Sequence, residues 1–115
     1  MMPEPRRGEI WQGDFDPTRG REQAGRRPML VISTDSFGTG PAELVVVLPI
    51  TSKLKGIGWH VEVAPSRETG LKTTSYVMCE AIRCISHDRL SKFLGIVDPA
   101  LLKQVEKRLR ILLEL

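Results

Sequence analysis

The stretch from Met29 to Ile50, "MLVISTDSFGTGPAELVVVLPI", holds two apolar runs rich in Val and Ile around a connection of Gly, Pro, Ser, Thr and Asp. Both runs are shorter than a usual helix and β-branched, so the pattern predicts two buried strands, Met29–Ser33 and Leu44–Ile50, joined by turns with no room for a helix of useful length. Working outward, Glu9–Phe15 reads as a first short strand. "GWHVEVAP", starting at Gly58, alternates Trp59, Val61 and Val63 with His60, Glu62 and Ala64. That is the period of a strand with one buried and one wet face. "SYVMCEAIRCI", Ser75–Ile85, reads as one long bent strand or two consecutive ones, with Glu80 and Arg83 as charged interruptions that, three apart on a strand, point to opposite faces. Ser86 suits the cap of a short helical turn before a last strand in "FLGIV". Asp98 then stands before Pro99 as a cap before a first-turn proline, and Leu101, Leu102, Val105, Leu109, Leu112 and Leu113 recur at helical spacing. The other face of that helix carries Lys103, Lys107, Arg108 and Arg110, a solvated surface or part of a binding face.

The expected architecture is a single domain over residues 1–115, mainly β with one α-helix: a small, strongly curved, mostly antiparallel sheet or barrel closed by a C-terminal helix. There is no internal repeat and no low-complexity tract. Hydrophobic residues make up 41% of the chain and charged ones 27%, which excludes a disordered or membrane-spanning class. A formal charge of +3, with 11 arginines among 17 basic residues, leans toward polyanions without deciding for them. Cys79 and Cys84 match no zinc or redox spacing and read as two buried thiols in a reducing compartment. The N-terminus "MMPEPRRGEIW" has no apolar signal core, so a cytoplasmic protein with no membrane partner is expected.

Common catalytic motifs are absent, and with only His60 and His87 as histidines neither a metal site nor a cofactor is expected. Three features remain: "REQAGRRP" leading into the second strand, "LPITS" ending the third, and Glu80 with Arg83 in "CEAIR". If those two strands are antiparallel neighbours, Arg27 at the start of one faces Thr51 at the end of the other. That pairs a permanent cation with a hydroxyl.

The order "GEIWQGDFDPTRGREQAGRRPMLVIS", "VVVLPITS", "GWHVEV" and "TSYVMCEAIRCISHDRL", followed by a Leu-rich helix, resembles the MazF/PemK toxins of bacterial toxin–antitoxin pairs over almost the whole chain. The resemblance implies an SH3-like, CcdB-like barrel. It implies a sequence-specific, metal-independent endoribonuclease that acts on single-stranded RNA as a homodimer and is neutralised by a MazE-like antitoxin. In the family the arginine before the second-strand proline and the threonine ending the third strand are catalytic, which correspond to Arg27 and Thr51. The glutamate of the preceding loop corresponds to Glu22, and "CEAIR" supplies Glu80 and Arg83.

Such enzymes let the ribose 2'-hydroxyl attack its own phosphate, leaving a 2',3'-cyclic phosphate and a 5'-hydroxyl. Arg27 offers a planar fork of N–H donors for the phosphate oxygens, and Thr51 one O–H, with Ser52 able to stand in for it. A guanidinium keeps its proton in proteins, which removes Arg27 as a general base and leaves Glu22 or His60. Arg26, Lys53 and Lys55 are further phosphate contacts, and Glu80 and Arg83 divide between supporting the site and touching RNA. Trp11 and Trp59 suit base stacking or core packing. Rival readings stay open: Arg27 as a salt-bridge partner of Glu22 or Glu80, a CcdB-like gyrase-binding toxin, and a peptide-binding adaptor. Against the second, the chain ends Leu113-Glu114-Leu115 and not in Trp-Gly-Ile. Against the third, aromatics are only 5% of residues.

Overall fold

The two Val/Ile runs form strands at the centre of the sheet because both of their faces are buried. The computed structural model describes residues 4–16, 19–20 and 25–115. Its elements are β1 (Glu9–Asp14), β2 (Arg26–Val31), the one-turn α1 (Asp35–Gly38), β3 (Leu44–Thr51), β4 (His60–Val63), β5 (Ser75–Met78), β6 (Arg83–Ser86), β7 (Leu90–Ile96) and α2 (Pro99–Leu113). Every pairing is antiparallel, in the order β4-β5-β3-β2-β1-β7, with β6 added beside β3.

Alternate residues of β2 and β3 feed two separate clusters. Leu30, Leu48 and Ile50 join Ile10, Val61, Val63, Leu71 and Val77 under α2, which contributes Val105 and Leu109. Met29, Val31, Val45 and Val47 turn the other way, to Phe15, Ile85 and Leu90. Continuous apolar runs, as opposed to alternating ones, are what two-sided burial demands. The helix begins where the sequence places it, for the Asp98 carboxylate accepts a hydrogen bond from the Leu101 N–H at 2.8 Å and Pro99 follows at the first position.

β3 is long enough to serve two curved sheets. It pairs β6 over Leu44–Val47, β2 over Val47–Pro49, and β5 at Ile50 and Thr51. The change of partner from β6 to β5 coincides with Pro49, which has no N–H to give the ladder. The chain between β5 and β6 accordingly leaves the sheet in a 3-10 turn, Cys79–Ala81. Ser75–Ile85 is therefore two strands and not one. Glu80 lies in that turn while Arg83 opens β6, so the opposite-faces argument for the pair does not apply. Cys79 is buried as expected, but Cys84 is exposed, a correction that follows from its alternation with buried Ile85 on β6.

Candidate active site

β2 and β3 are bonded neighbours with Met29 opposite Pro49. Extending that register by two residues sets Arg27 against Thr51. Both line a cleft of about 620 Å³ at one mouth of the barrel, together with Arg26, Ser52 and Lys53. The rest of the lining is Gln12, Pro28, Ile50 and Ser75, the segment Gly70–Thr73, and Lys92 and Leu94 of β7. Among the described residues the lining holds five cations (Arg26, Arg27, Lys53, Lys72 and Lys92) and no carboxylate. Such a cleft concentrates positive potential and selects anions.

Thr51 is nearly buried, at 8% exposure. Its Oγ1 accepts a hydrogen bond from the Lys53 N–H at 3.2 Å. With an acceptor position occupied by the backbone, the hydroxyl proton is left to be donated to a bound anion. Arg26, outside Arg27, is the more exposed of the two, and its Nε lies 4.0 Å from Asp14 Oδ2.

The root of the β1–β2 connection is tied down on both sides. Phe15 N–H donates to Gly25 O at 3.0 Å, Gly25 N–H donates to Asp16 Oδ1 at 3.0 Å, and Arg89 Nη1 donates to the carbonyls of Asp14 and Asp16 at 3.2 and 2.6 Å. These contacts fix the start of β2 and with it Arg27. Glu22, the expected loop carboxylate, lies outside the described residues.

The remaining predicted residues fall elsewhere. Lys55 is exposed on the β3–β4 connection and does not line the cleft. His60, placed by its alternation on the wet face, has a side chain only 4% exposed, with Nε2 2.8 Å from Glu80 Oε2. An ionised carboxylate only accepts, so Nε2 carries the proton of this bond, and Nδ1 is buried without a partner. Neither His60 nor Glu80 lines the cleft. Arg83 shares a face of β6 with Ile85, and its guanidinium carbon sits 5.0 Å from the centroid of the Phe15 ring. It supports the root of the loop from below and not the cleft wall. Trp11 packs edge-on against Phe93, ring centroids 5.7 Å apart, and Trp59 borders a shallow hollow beside Lys107 and Arg108 of α2.

Sequence reasoning missed Lys72 and Lys92. Lys72 sits in an unremarked turn, and Lys92 reaches the site only because Gln12 of β1 pairs Pro28 on one side and Lys92 on the other. No linear motif carries that adjacency.

A small curved barrel with a cationic, hydroxyl-bearing mouth suits the binding of an anion. Comparison with known proteins makes the class specific. Residues 6–113 match the family described as PemK-like, MazF-like toxin of type II toxin–antitoxin system. The chain belongs to that family. It is 35% identical over 114 residues to Endoribonuclease MazF9 of Mycobacterium tuberculosis, covering 96% of this chain and 97% of the relative. Its fold superimposes on the crystal structure of MazF from Deinococcus radiodurans with a TM-score of 0.86 at 29% identity, covering 98% and 99% of the two chains. A MazE–MazF crystal structure from the same organism is also similar, with a TM-score of 0.78, 29% identity and 98% of each chain covered.

Proposed function

We propose that this chain is a sequence-specific, metal-independent endoribonuclease toxin that cleaves single-stranded RNA by internal transesterification. The observation that supports the reading is a cleft lined by both Arg27 and Thr51, whose described lining is cationic and free of carboxylates. The relative named as an endoribonuclease, similar over nearly the full length, supports it.

The ribose 2'-oxygen attacks its own phosphorus, the bond to the 5'-oxygen breaks, and a 2',3'-cyclic phosphate remains. The nucleophile belongs to the substrate, so no water has to be activated for this step. The protein's tasks are to align the attack and to stabilise the extra charge on the pentacoordinate phosphorus. Arg27 supplies a fork of donors and Thr51 a hydroxyl already oriented by Lys53 N–H. The 2'-hydroxyl proton goes to a base and the departing 5'-oxygen takes one up. Glu22 is the base in this reading, because His60 does not line the cleft and its Nε2 is committed to Glu80. The protein works as a homodimer and is silenced by a MazE-like antitoxin. An acidic segment laid over the cleft would occupy the same cations that hold RNA, and the similar MazE–MazF structure supports such a partner.

The test is incubation of wild type and Arg27→Ala with long mixed-sequence RNA in EDTA, with mapping of the ends. Wild type is expected to give discrete cuts with cyclic phosphate and 5'-hydroxyl ends. Arg27→Ala should lose roughly a hundredfold to a thousandfold in rate while remaining folded, the usual cost of removing a preorganised donor. Intact RNA with folded, antitoxin-free wild type would overturn the reading and bring the gyrase-binding alternative forward.

A further inference from the structure

The part of the cleft formed by Gly70–Thr73 and β7 is built as carefully as the part that carries Arg27 and Thr51. Its segment Ser66–Thr73 is welded to β7 by two glycines at a backbone-to-backbone contact. A Cβ on Gly70 would lie 2.1 Å from Leu94 O, and one on Gly95 would lie 2.1 Å from Glu68 O and 2.4 Å from Thr69 C. Ile96 N–H donates to Glu68 O at 2.7 Å across the same seam. The segment is further closed on itself by Gly70 N–H to Ser66 O at 3.0 Å and Thr69 N–H to Ser66 Oγ at 3.1 Å. Lys72, two residues past one glycine, and Lys92, three residues before the other, therefore ride on a single rigid unit and line the cleft from it.

Neither lysine makes an ion pair or a side-chain hydrogen bond among the described residues, and no carboxylate joins them in the lining. Two exposed like charges brought to one cleft without a counter-charge raise its positive potential and draw an anion to it. Arg27 and Thr51 already answer the needs of one phosphate in the same cleft. A single-stranded nucleic acid presents a second phosphate one nucleotide away.

We propose that Lys72 and Lys92 form a second, preorganised anion grip that holds a phosphate flanking the scissile one. The inference rests on the ribonuclease reading for the identity of the ligand, and the placement of the two lysines carries it beyond that reading. The grip acts on binding and register, so it governs KM and salt dependence and leaves the chemical step to Arg27 and Thr51. Lysine suits this role better than arginine does. A flanking phosphate needs charge at roughly the right place, whereas the scissile one needs a directed fork.

The experiment uses the full chain and two probes: a mixed-sequence ribo-oligomer with its 2'-hydroxyls methylated, which binds without reacting, and the unmodified RNA. Lys72→Gln, Lys92→Gln and the double variant are compared with wild type, each checked for an unchanged Tm. Single-strand binding loses about 0.7 in the slope of log affinity against log salt for each phosphate contact removed. The double variant should lower the slope by about 1.4, so that wild type's advantage over it shrinks about sevenfold between 50 and 200 mM salt. KM should rise with kcat within a factor of about two, and Lys72→Arg and Lys92→Arg should restore the slope. An unchanged slope and KM in the double variant would overturn the grip even where wild type cuts RNA. Weakened binding of an acidic antitoxin peptide with RNA binding intact would also overturn it and reassign the wall to the protein partner. If the methylated oligomer shows the lysine-dependent slope but unmodified RNA stays intact, the grip stands and the ribonuclease reading fails.

Discussion

Gly70→Ala separates the two reasons for a glycine at the cleft wall. The residue has φ +72°, and a β-carbon there would sit 2.1 Å from Leu94 O and 2.7 Å from Leu94 C. A side chain in left-handed backbone costs roughly 1–2 kcal/mol. The contact is with backbone, so no rotamer change relieves it, and the Ser66–Thr73 segment must lift away from β7. Lifting breaks the Ile96 N–H to Glu68 O bond and leaves its groups poorly paired, at about 1–3 kcal/mol. The expected loss is about 2–5 kcal/mol in all. Gly56→Ala is the control. Its φ of +63° imposes the same backbone strain, and nothing lies within 4 Å of the added carbon. The difference between the variants, about 1–3 kcal/mol, then reports the seam alone. Calorimetry should place Tm of Gly70→Ala roughly 4–12 °C below that of Gly56→Ala. Cleavage assays on the surviving folded protein should show KM raised more than kcat is lowered. Equal losses for the two alanine variants would refute the claim that the wall is pinned by close backbone approach.

Other expectations follow from single side chains. Burial pushes the Cys79 thiol from 9.0 up to about 11, with Glu80 adding to the rise and Arg108 opposing it. The unfolded chain therefore loses this proton first, and stability falls as pH rises from about 9 to about 11; urea midpoints of wild type and Cys79→Ala should converge across that window. One equivalent of a thiol reagent should label the native protein, at exposed Cys84, and a second only after denaturation. Asp98→Ala removes the carboxylate that caps α2 and should cost about 0.5–2 kcal/mol by urea titration. Arg83→Met deletes a buried Nη1 that has no acceptor together with the contact to the Phe15 ring. An orphaned donor costs about 1–3 kcal/mol and a cation over a ring returns about 0.5–2, so Tm should hold or rise; a clear fall would show that the ring contact dominates.

The strands were legible wherever burial wrote a pattern into the chain. Met29–Val31 and Val45–Ile50 announce themselves because both faces are covered, and α2 because Asp98, Pro99 and the leucine spacing agree. The break at Cys79–Ala81 was legible only as one of two readings, a bent strand or two consecutive ones, since its setting is Pro49 on another strand and a sequence read in order does not show which segments face each other. The same limit divides the site. Arg27 and Thr51 follow from one antiparallel pairing that the sequence implies, and both line the same cleft. Lys72 and Lys92 depend on β7 lying beside β1 and on a loop seated against β7. That is a relation among three distant segments without a local signature.

The two walls of the cleft illustrate how a small barrel obtains a stiff binding site at its mouth, where loops would ordinarily leave it soft. On one side Arg27 and Thr51 stand at the ends of central strands whose centres are buried on both faces, and Phe15, Asp16 and Arg89 close the loop root beside them. On the other, close backbone contact adds to the packing of Leu71 and Leu94 against the core, because a wall that presents lysines to solvent has few further apolar groups with which to hold itself. Preorganisation matters more for charge stabilisation than for simple adhesion. A guanidinium that must reorient during the reaction gives back part of what it stabilises. The sequence invests its most deeply buried strands under the arginine and threonine and its glycines under the lysines. That division is the one expected if the first wall performs the chemistry and the second only holds the chain in place.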